Sequence, residues 1–253
     1  RVPLTIAKSG LCDVLTEFSG LTAIPDLQAW KKIVKQQTAN HAKHAKVGLV
    51  AKYMDNEDTY ISVIEALKAA AWQLDTQLDI HWIDAEKATE SDFQHVDALL
   101  VPGGFGGRGV DGKIAAADFA LRNDTPYLGI CLGLQVAVIA AARIGGLLSA
   151  HSGEFASGED NVVYIMDGQA GKESTGGTLR LGSYPARLKR KSLVARTYNA
   201  TSVDERHRHR YEVNQKFTQT IEKGGIVVSG TSPDGSLVEF IEAPKNAYFV
   251  ATQ

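Results

Sequence analysis

The stretch Leu128–Gln135 reads Leu-Gly-Ile-Cys-Leu-Gly-Leu-Gln, and it decides the fold because it joins an apolar run to a helical pattern. Gly129 and Gly133 lie two positions before and after Cys131. Small residues there allow a sharp turn, the pattern of a nucleophile elbow between a strand and a helix. The helix would direct free N–H groups and its positive dipole end at the sulfur, so we expect a lowered thiol pKa. The alternative is a buried core cysteine.

Strand and helix patterns alternate around this elbow. Such alternation predicts an α/β fold with a central, mostly parallel sheet flanked by helices. After Ala150, short runs separated by Gly, Asp and Pro predict antiparallel additions in the C-terminal half. The predicted strands are Lys46–Lys52, Leu78–Asp84, Ala98–Val101 and Tyr127–Cys131, the helices are Tyr60–Gln73, Asp111–Arg122 and Leu132–Arg143, and the later short runs are 161–167, 178–189, 193–198, 225–230, 235–242 and 247–252.

Composition narrows the class of protein. A formal net charge of −2 in 253 residues gives no general attraction to nucleic acid or to anionic membranes. The two cysteines, Cys12 and Cys131, make a disulfide framework improbable and favour a reducing compartment. No apolar run approaches the roughly 20 residues that span a bilayer. We therefore expect a cytoplasmic protein with neither a nucleic-acid nor a membrane partner.

The first 45 residues differ in pattern from the rest of the chain. Apolar residues are scattered over 1–35, and Pro25–Trp30 has the pattern of a helix start. Residues 36–45 are polar without an apolar period, which predicts a linker. The chain begins at Arg1 and stops at Gln253 directly after a strand-like run, so we expect both ends to be cut.

A glycine-rich stretch, Pro102–Gly109, follows a predicted buried strand. Its unobstructed N–H groups suit an anion or an oxyanion. Gly104–Gly109 also matches the dinucleotide pattern G-x-G-x-x-G, but two strands precede it and no acidic residue ends the next strand. Acyl transfer is the better interpretation: N–H groups of Gly104 and Leu132 would converge on a carbonyl oxygen that becomes an oxyanion.

The string Arg206–Asn214 alternates arginines with His207, His209 and Tyr211. It fits a solvated basic strand, or an extended segment in which the arginines share one face and one of them clamps a carboxylate. No cluster of further ligands accompanies the histidines, so we predict no metal site. Gln135 lies one helical turn beyond the nucleophile. Either it or Glu154 can also be an ordinary surface group.

Several segments together resemble the triad (class I) glutamine amidotransferase domain of the CTP synthase family. The resemblance covers 46–253, whereas 1–45 resembles the end of the synthetase domain and the interdomain linker. The segments that carry it are Lys46–Tyr53, Tyr60–Leu67, Pro102–Gly109, Leu128–Gln135, Gly176–Gly182 and Glu205–Asn214.

The resemblance implies a glutaminase in which Cys131 attacks the side-chain amide of L-glutamine, forming a thioester and releasing ammonia. It also implies an oxyanion hole at Gly104 and Leu132. The glutamine-binding residues that it implies are Gly104, Leu132, Gly133, Leu134, Gln135, Glu154, Arg210 and Tyr211. No cofactor is implied for this domain. In the family, a synthetase domain of the same polypeptide uses Mg, ATP and UTP to make CTP, GTP activates the glutaminase, and the full-length protein is a homotetramer.

The sequence departs from the family pattern in three places. The family's triad histidine and glutamate lie in a His-Pro-Glu motif expected after Gln253, and His41, His44 and His81 do not match it. We therefore expect poor activity from the 253-residue chain alone. Leu134 replaces a common Met, and the segment 167–177 is short for the lid expected there, which puts the GTP response in question. The alternative function is a catalytically silent regulatory or assembly module.

Overall fold

The computed structural model describes residues 1–21, 25–166 and 179–253, so the predicted short lid lies outside the described residues. These residues form two compact units, 1–45 with 61–79 and 46–60 with 80–253. The elements in chain order are α1 (Val2–Lys8), α2 (Leu11–Ser19), α3 (Gln28–Thr38), β1 (Lys43–Ala51), α4 (Ile61–Gln73), β2 (Thr76–Asp84), α5 (Glu90–Gln94), β3 (Ala98–Val101), α6 (Val110–Asn123), β4 (Tyr127–Ile130), α7 (Leu132–Ile144), β5 (His151–Ser152), β6 (Asn161–Ile165), β7 (Arg180–Leu188), α8 (Leu193–Tyr198), β8 (Ser202–His209), β9 (Tyr211–Val213), α9 (Thr218–Lys223), β10 (Val227–Thr231), β11 (Val238–Glu242) and β12 (Phe249–Thr252).

The smaller unit is helical and carries apolar side chains on its surface. Phe18 is 90% exposed, and Val14 and Leu15 are more than half exposed. The prediction of a linker over 36–45 is wrong in its extent, because α3 continues to Thr38 and β1 begins at Lys43. A polar helix surface lacks the apolar period on which the prediction depended.

The described residues form a nine-stranded sheet in the order β2-β1-β3-β4-β12-β11-β10-β7-β8. Parallel pairs join β1, β3, β4 and β12, and antiparallel pairs join the strands from β12 to β8. This confirms the α/β class, the parallel centre and the antiparallel C-terminal additions.

Three of the short C-terminal runs differ from the prediction of antiparallel additions to the main sheet: one is a parallel strand, one is a helix and one belongs to a second sheet. The run 247–252 gives β12, which lies mid-sheet and runs parallel to β4. The run 193–198 is the helix α8, whose N-terminus is capped by the Ser192 hydroxyl. The run 161–167 gives β6, which belongs to a separate three-stranded sheet with β5 and β9. Short apolar runs do not distinguish strand from helix, nor one sheet from another.

The core packs around α7, which is buried from Leu132 to Ala142. The alanines of this helix allow α6 and α9 to approach closely. Below it, the ring of Tyr127 on β4 stacks on Phe249 of β12 with centroids 4.3 Å apart. The Tyr127 hydroxyl donates to Gly133 O at 2.8 Å, so one side chain joins the sheet to the first turn of α7.

The glycines around Cys131 are sterically required. A Cβ built on Gly133 would lie 2.1 Å from Val101 O, and one on Gly129 would lie 2.7 Å from the carbonyl group of Gly133. Both contacts are with backbone, which cannot swing aside as a side chain would. The start of α7 therefore lies directly on the ends of β3 and β4.

We predict that Gly133→Ala lowers the free energy of unfolding by about 2 kcal/mol or more, because overpacking against backbone cannot be relieved locally. For a chain of this size the Tm should fall by about 5 °C. Gly107→Ala is the control, since its Cβ would meet only Phe155 at 3.7 Å. Thermal unfolding checks both; equal Tm values for the two variants would contradict the steric argument.

Candidate active site

Cys131 occupies a strained turn between β4 and α7. Its φ is 54° and its ψ −106°, a conformation that side-chain-bearing residues adopt rarely and at a cost of about 1–3 kcal/mol. The backbone N–H of Cys131 donates to Thr252 O at 2.7 Å, which ties the turn to β12. The geometry is that of the elbow predicted from the flanking glycines.

The expectation of a lowered thiol pKa is wrong for this structure. Cys131 retains some exposed surface, but its sulfur is enclosed by protein, and this burial raises the pKa to about 11. The Leu132 N–H and the charge of Lys113 oppose the shift, while Glu154 and Glu212 add to it. Desolvation of a thiolate therefore outweighs the helix N-terminus, and the thiol is protonated at neutral pH.

The glycine-rich loop lies against the thiol. A Cβ built on Gly103 would lie 3.8 Å from Cys131 Sγ, and one on Gly104 would lie 3.6 Å from the Leu132 side chain. The loop follows β3, and β3 pairs with β4, so the sheet itself brings the two segments together. The close approach leaves little room for a nucleotide between loop and thiol.

Two buried lysines flank this loop. Lys52 is 2% exposed and donates from Nζ to Phe105 O and Gly106 O. Lys113 is fully buried and donates from Nζ to Pro102 O at 2.7 Å. Burial, together with the charge of Lys52, lowers the pKa of Lys113 to about 7. Both amines lie close enough to the site to influence its charge.

A cavity of about 430 Å³ opens beside the loop, a size suited to a small ligand. Opposite charges meet in it, because Glu154 and Arg210 both contribute to its wall. Its lining residues are Phe105, Gly106, Glu154, Leu179, Arg208, Arg210 and Tyr211. A larger cavity of about 600 Å³ lies near Tyr184 and Asp234 and contains none of the predicted site residues. We favour the smaller cavity because part of the glycine-rich loop and the predicted residues Glu154, Arg210 and Tyr211 line it.

Arg210 is more buried than the two other arginines of its string. Arg206 and Arg208 are exposed on β8, whereas Arg210 is 8% exposed and lies at the bend between β8 and β9. There the chain passes from the nine-stranded to the three-stranded sheet. Arg208 and Arg210 nevertheless both line the cavity, and the bend buries Arg210 in its wall.

The first turn of α7 places the remaining predicted residues. Leu132 and Leu134 direct their side chains into the core, so only their backbone groups remain for a ligand. Gln135 is 3% exposed and donates from Nε2 to Tyr211 O at 3.2 Å. The turn thus connects the thiol to the strand that carries Tyr211.

A buried ionic cluster lies behind this strand. Arg180 forms a two-pronged ion pair with Glu239, and its Nη1 also lies 3.4 Å from Glu212 Oε1. Burial raises the pKa of Glu212 to about 8, although Arg180 opposes the shift. Burial and the charge of His207 lower the pKa of His209 to about 3. Both side chains are neutral near pH 7, so the histidines are part of a structural cluster.

The histidines set aside in the sequence, His41, His44 and His81, are not among the residues that line the cavity beside the glycine-rich loop. His41 belongs to the smaller unit, where its ring bonds Asp75 at 2.8 Å, and His44 and His81 are in β1 and β2. Over the described parts of the chain, no group of three or more His, Cys, Asp or Glu side chains could hold a metal ion. Nor does any described helix have the length and apolarity to cross a membrane.

Comparison with known proteins shows the family of this chain. The family described as glutamine amidotransferase class-I matches residues 56–253. The chain belongs to this family. Among proteins of known sequence, the CTP synthases of Listeria innocua and Methanocaldococcus jannaschii are each 43% identical to it, over 100% of this chain and 49% of theirs. The chain therefore spans about half the length of the curated relatives it matches.

A solved structure shows the same relationship. The CTPS glutaminase domain of Trypanosoma brucei, determined with bound acivicin, is 37% identical with a TM-score of 0.76. The match covers 83% of this chain and 84% of that one. This likeness confirms the resemblance inferred from the elbow, the glycine-rich loop and the Arg206–Asn214 string.

Several residues of this amidotransferase site were not found from the sequence. Lys52 could have been, because it directly follows strand β1 and ligands of parallel sheets bind at the carboxyl ends of strands. Lys113 and Glu212 gave no signal, since a charged residue in a helix or an alternating strand is expected to face solvent. No role was assigned to Phe105, Arg208 and Leu179, although each of them lies in a motif noted in the sequence.

We predict that haloacetamide alkylation of Cys131 in this amidotransferase domain accelerates about tenfold per pH unit from pH 7 to pH 9.5. With a pKa of about 11, only about one thiol in ten thousand is ionised at pH 7, and the thiolate is the reactive form. A Cys12→Ser background, checked by peptide mapping, isolates the reaction. A rate that levels off below pH 8 would show an activated thiolate instead.

Proposed function

We propose that this chain is the glutaminase half of a CTP synthase and hydrolyses L-glutamine to supply ammonia. The observation that carries the proposal is the position of Cys131, held in a strained turn between the glycine-rich loop and the first N–H groups of α7. A nucleophile in that position, beside a cavity with charges of both signs, suits an amino-acid substrate.

In the proposed reaction, Cys131 Sγ adds to the side-chain amide carbon of glutamine. The carbonyl oxygen becomes an oxyanion, stabilised by the N–H groups of Gly104 and Leu132. The C–N bond then breaks, a proton is transferred to the leaving nitrogen, and ammonia departs to leave a thioester. Water attacks the thioester, releasing glutamate and restoring the thiol.

The cavity would orient the amino-acid end of the substrate. Arg210 suits the α-carboxylate because a guanidinium binds a carboxylate in two parallel hydrogen bonds. Glu154, across the same cavity, suits the α-ammonium group. Gln135 and the backbone of Gly133, Leu134 and Tyr211 would complete the binding site, and no metal takes part in this domain.

The protonated thiol needs a base, and the sheet indicates where that base would come from. Thr252 pairs with Ile130, and Cys131 N–H donates to Thr252 O. A segment that continues beyond Gln253 would therefore leave the sheet beside the thiol. The His-Pro-Glu motif expected there would supply a histidine to accept the thiol proton and return it to the leaving amine.

The ammonia would pass to the synthetase domain of the same polypeptide. There we propose ATP- and Mg-dependent amination of UTP to CTP in the cytoplasm, by a homotetramer with GTP as activator of the glutaminase. Residues 1–45 would be the end of that domain with the linker, and 46–253 the amidotransferase domain. The support is the similarity to CTP synthases over the whole chain.

We predict that Arg210→Ala in the parent protein raises the KM for glutamine about ten- to a hundredfold. Loss of a charge-assisted pair contributing about 1.5–3 kcal/mol accounts for this range. CTP formation from free ammonia should be unchanged, because ammonia has no carboxylate. Arg206→Ala, on exposed β8, is the matched control and should behave as wild type. Equal loss with both nitrogen donors would assign Arg210 to folding.

We predict that the 253-residue chain turns over glutamine at least about a hundredfold more slowly than one extended through His-Pro-Glu, because the extension supplies the base. Release of glutamate and ammonia measures the difference. Cys131→Ser in the extended chain should abolish turnover. Turnover that persists in Cys131→Ser would refute the proposed function, and equal rates for both lengths would place the base within the 253 residues.

A further inference from the structure

Lys52 holds the glycine-rich loop from the side of β1. Its Nζ donates to Phe105 O and, at 2.9 Å, to Gly106 O, while its stem runs beside Gly104. A Cβ built on Gly104 would lie 3.1 Å from Lys52 Cδ. A 2%-exposed ammonium that faces backbone carbonyls is costly to bury. Its Nζ also lies 5.5 Å from the centre of the Tyr53 ring, and both of its hydrogen bonds go to one short loop.

The hydrogen bonds from Lys52 to these carbonyls also fix the direction of the N–H group in each of the same peptide units. In a planar trans peptide, the C=O and the N–H point in opposite directions. The peptide between Phe105 and Gly106 shows the effect, because its oxygen accepts from Lys52 and its N–H donates to Glu154 Oε1 at 2.6 Å. One peptide unit thus separates a buried cation from the carboxylate proposed to bind substrate.

The planarity of the peptide has the same effect at the start of the loop, where Lys113 is the donor. Pro102 O accepts from Lys113, so the Gly103 N–H points away from that amine. The Gly103–Gly104 peptide, whose N–H is the proposed oxyanion donor, lies between the two fixed points. The lysines hold peptides on either side of it, at Pro102 O and Phe105 O, and thereby restrict the direction of this N–H.

We propose that Lys52 is a positioning residue for glutamine hydrolysis, which holds the glycine-rich loop in the shape that presents the Gly104 N–H to the oxyanion. The inference rests on the proposed function of Cys131. Lys52 acts through the loop, and its role differs from that of Lys113, whose charge acts on the thiol itself.

The test compares Lys52→Met with wild type in the parent protein. Methionine keeps the length of the stem and removes the buried charge, so the Tm should change by no more than a few degrees. We expect kcat for glutamine hydrolysis to fall at least tenfold while KM changes less than threefold, because the oxyanion forms only in the transition state. Lys87→Met, whose side chain is 84% exposed, is the matched control and should be unchanged.

A second readout separates positioning from folding. Haloacetamide displaces its leaving group without forming an oxyanion, so alkylation of Cys131 should stay within threefold of wild type in Lys52→Met. In Lys113→Met, alkylation at pH 6 should fall, because at that pH, below its pKa of about 7, Lys113 carries a positive charge near the sulfur that the variant removes.

Each outcome decides a separate point. If wild type hydrolyses glutamine and Lys52→Met does so equally fast, the positioning role is wrong. If alkylation and turnover of Lys52→Met fall together, or the Tm drops by more than about 5 °C, Lys52 is structural and the inference is also overturned. If wild type itself does not hydrolyse glutamine, the proposed function fails, whatever the variant does.

Discussion

The close approach of backbone to backbone at the elbow is the constraint on which the rest of the structure depends. Gly129 and Gly133 permit α7 to begin directly above β3 and β4, and Cys131 adopts its unfavourable φ because the packed segments around it leave no alternative. The burial of α7, the proximity of the glycine-rich loop and the hydrogen bond to Thr252 all result from this contact. The strain is local, and the surrounding core holds it in place.

Burial of the sulfur raises the pKa of the Cys131 thiol, whereas the helix N-terminus lowers it. The protein interior disfavours the thiolate more than the nearby N–H groups and Lys113 favour it. A nucleophile in this state reacts only when a partner removes its proton, so its chemistry depends on a second group arriving at the correct place. The raised pKa of Glu212 and the lowered pKa of His209 show the same preference of this interior for neutral forms.

The sequence predicted the α/β class and the elbow, because glycine spacing and apolar periodicity report local geometry. Three of the seven residues that line the cavity, Glu154, Arg210 and Tyr211, were expected from the resemblance to the family. The sequence did not predict the mid-sheet position of β12, since strand order depends on contacts between distant segments. It also did not predict the burial of Arg210, because the bend between two sheets is set by tertiary packing. Lys113 and Glu212 were missed for a related reason: burial of a charge depends on partners that periodicity does not reveal.

The position of β12 bears on how the chain acquires its structure. The strand between β4 and β11 belongs to the last residues in sequence, so the sheet is completed only after they join it. Before that step β4 and β11 present open edges, and the pairing of residues more than a hundred positions apart is slow to form. During synthesis, the Cys131 turn would lack its bond to Thr252 until that residue has emerged. Incomplete chains would thus contain the nucleophile without its native setting.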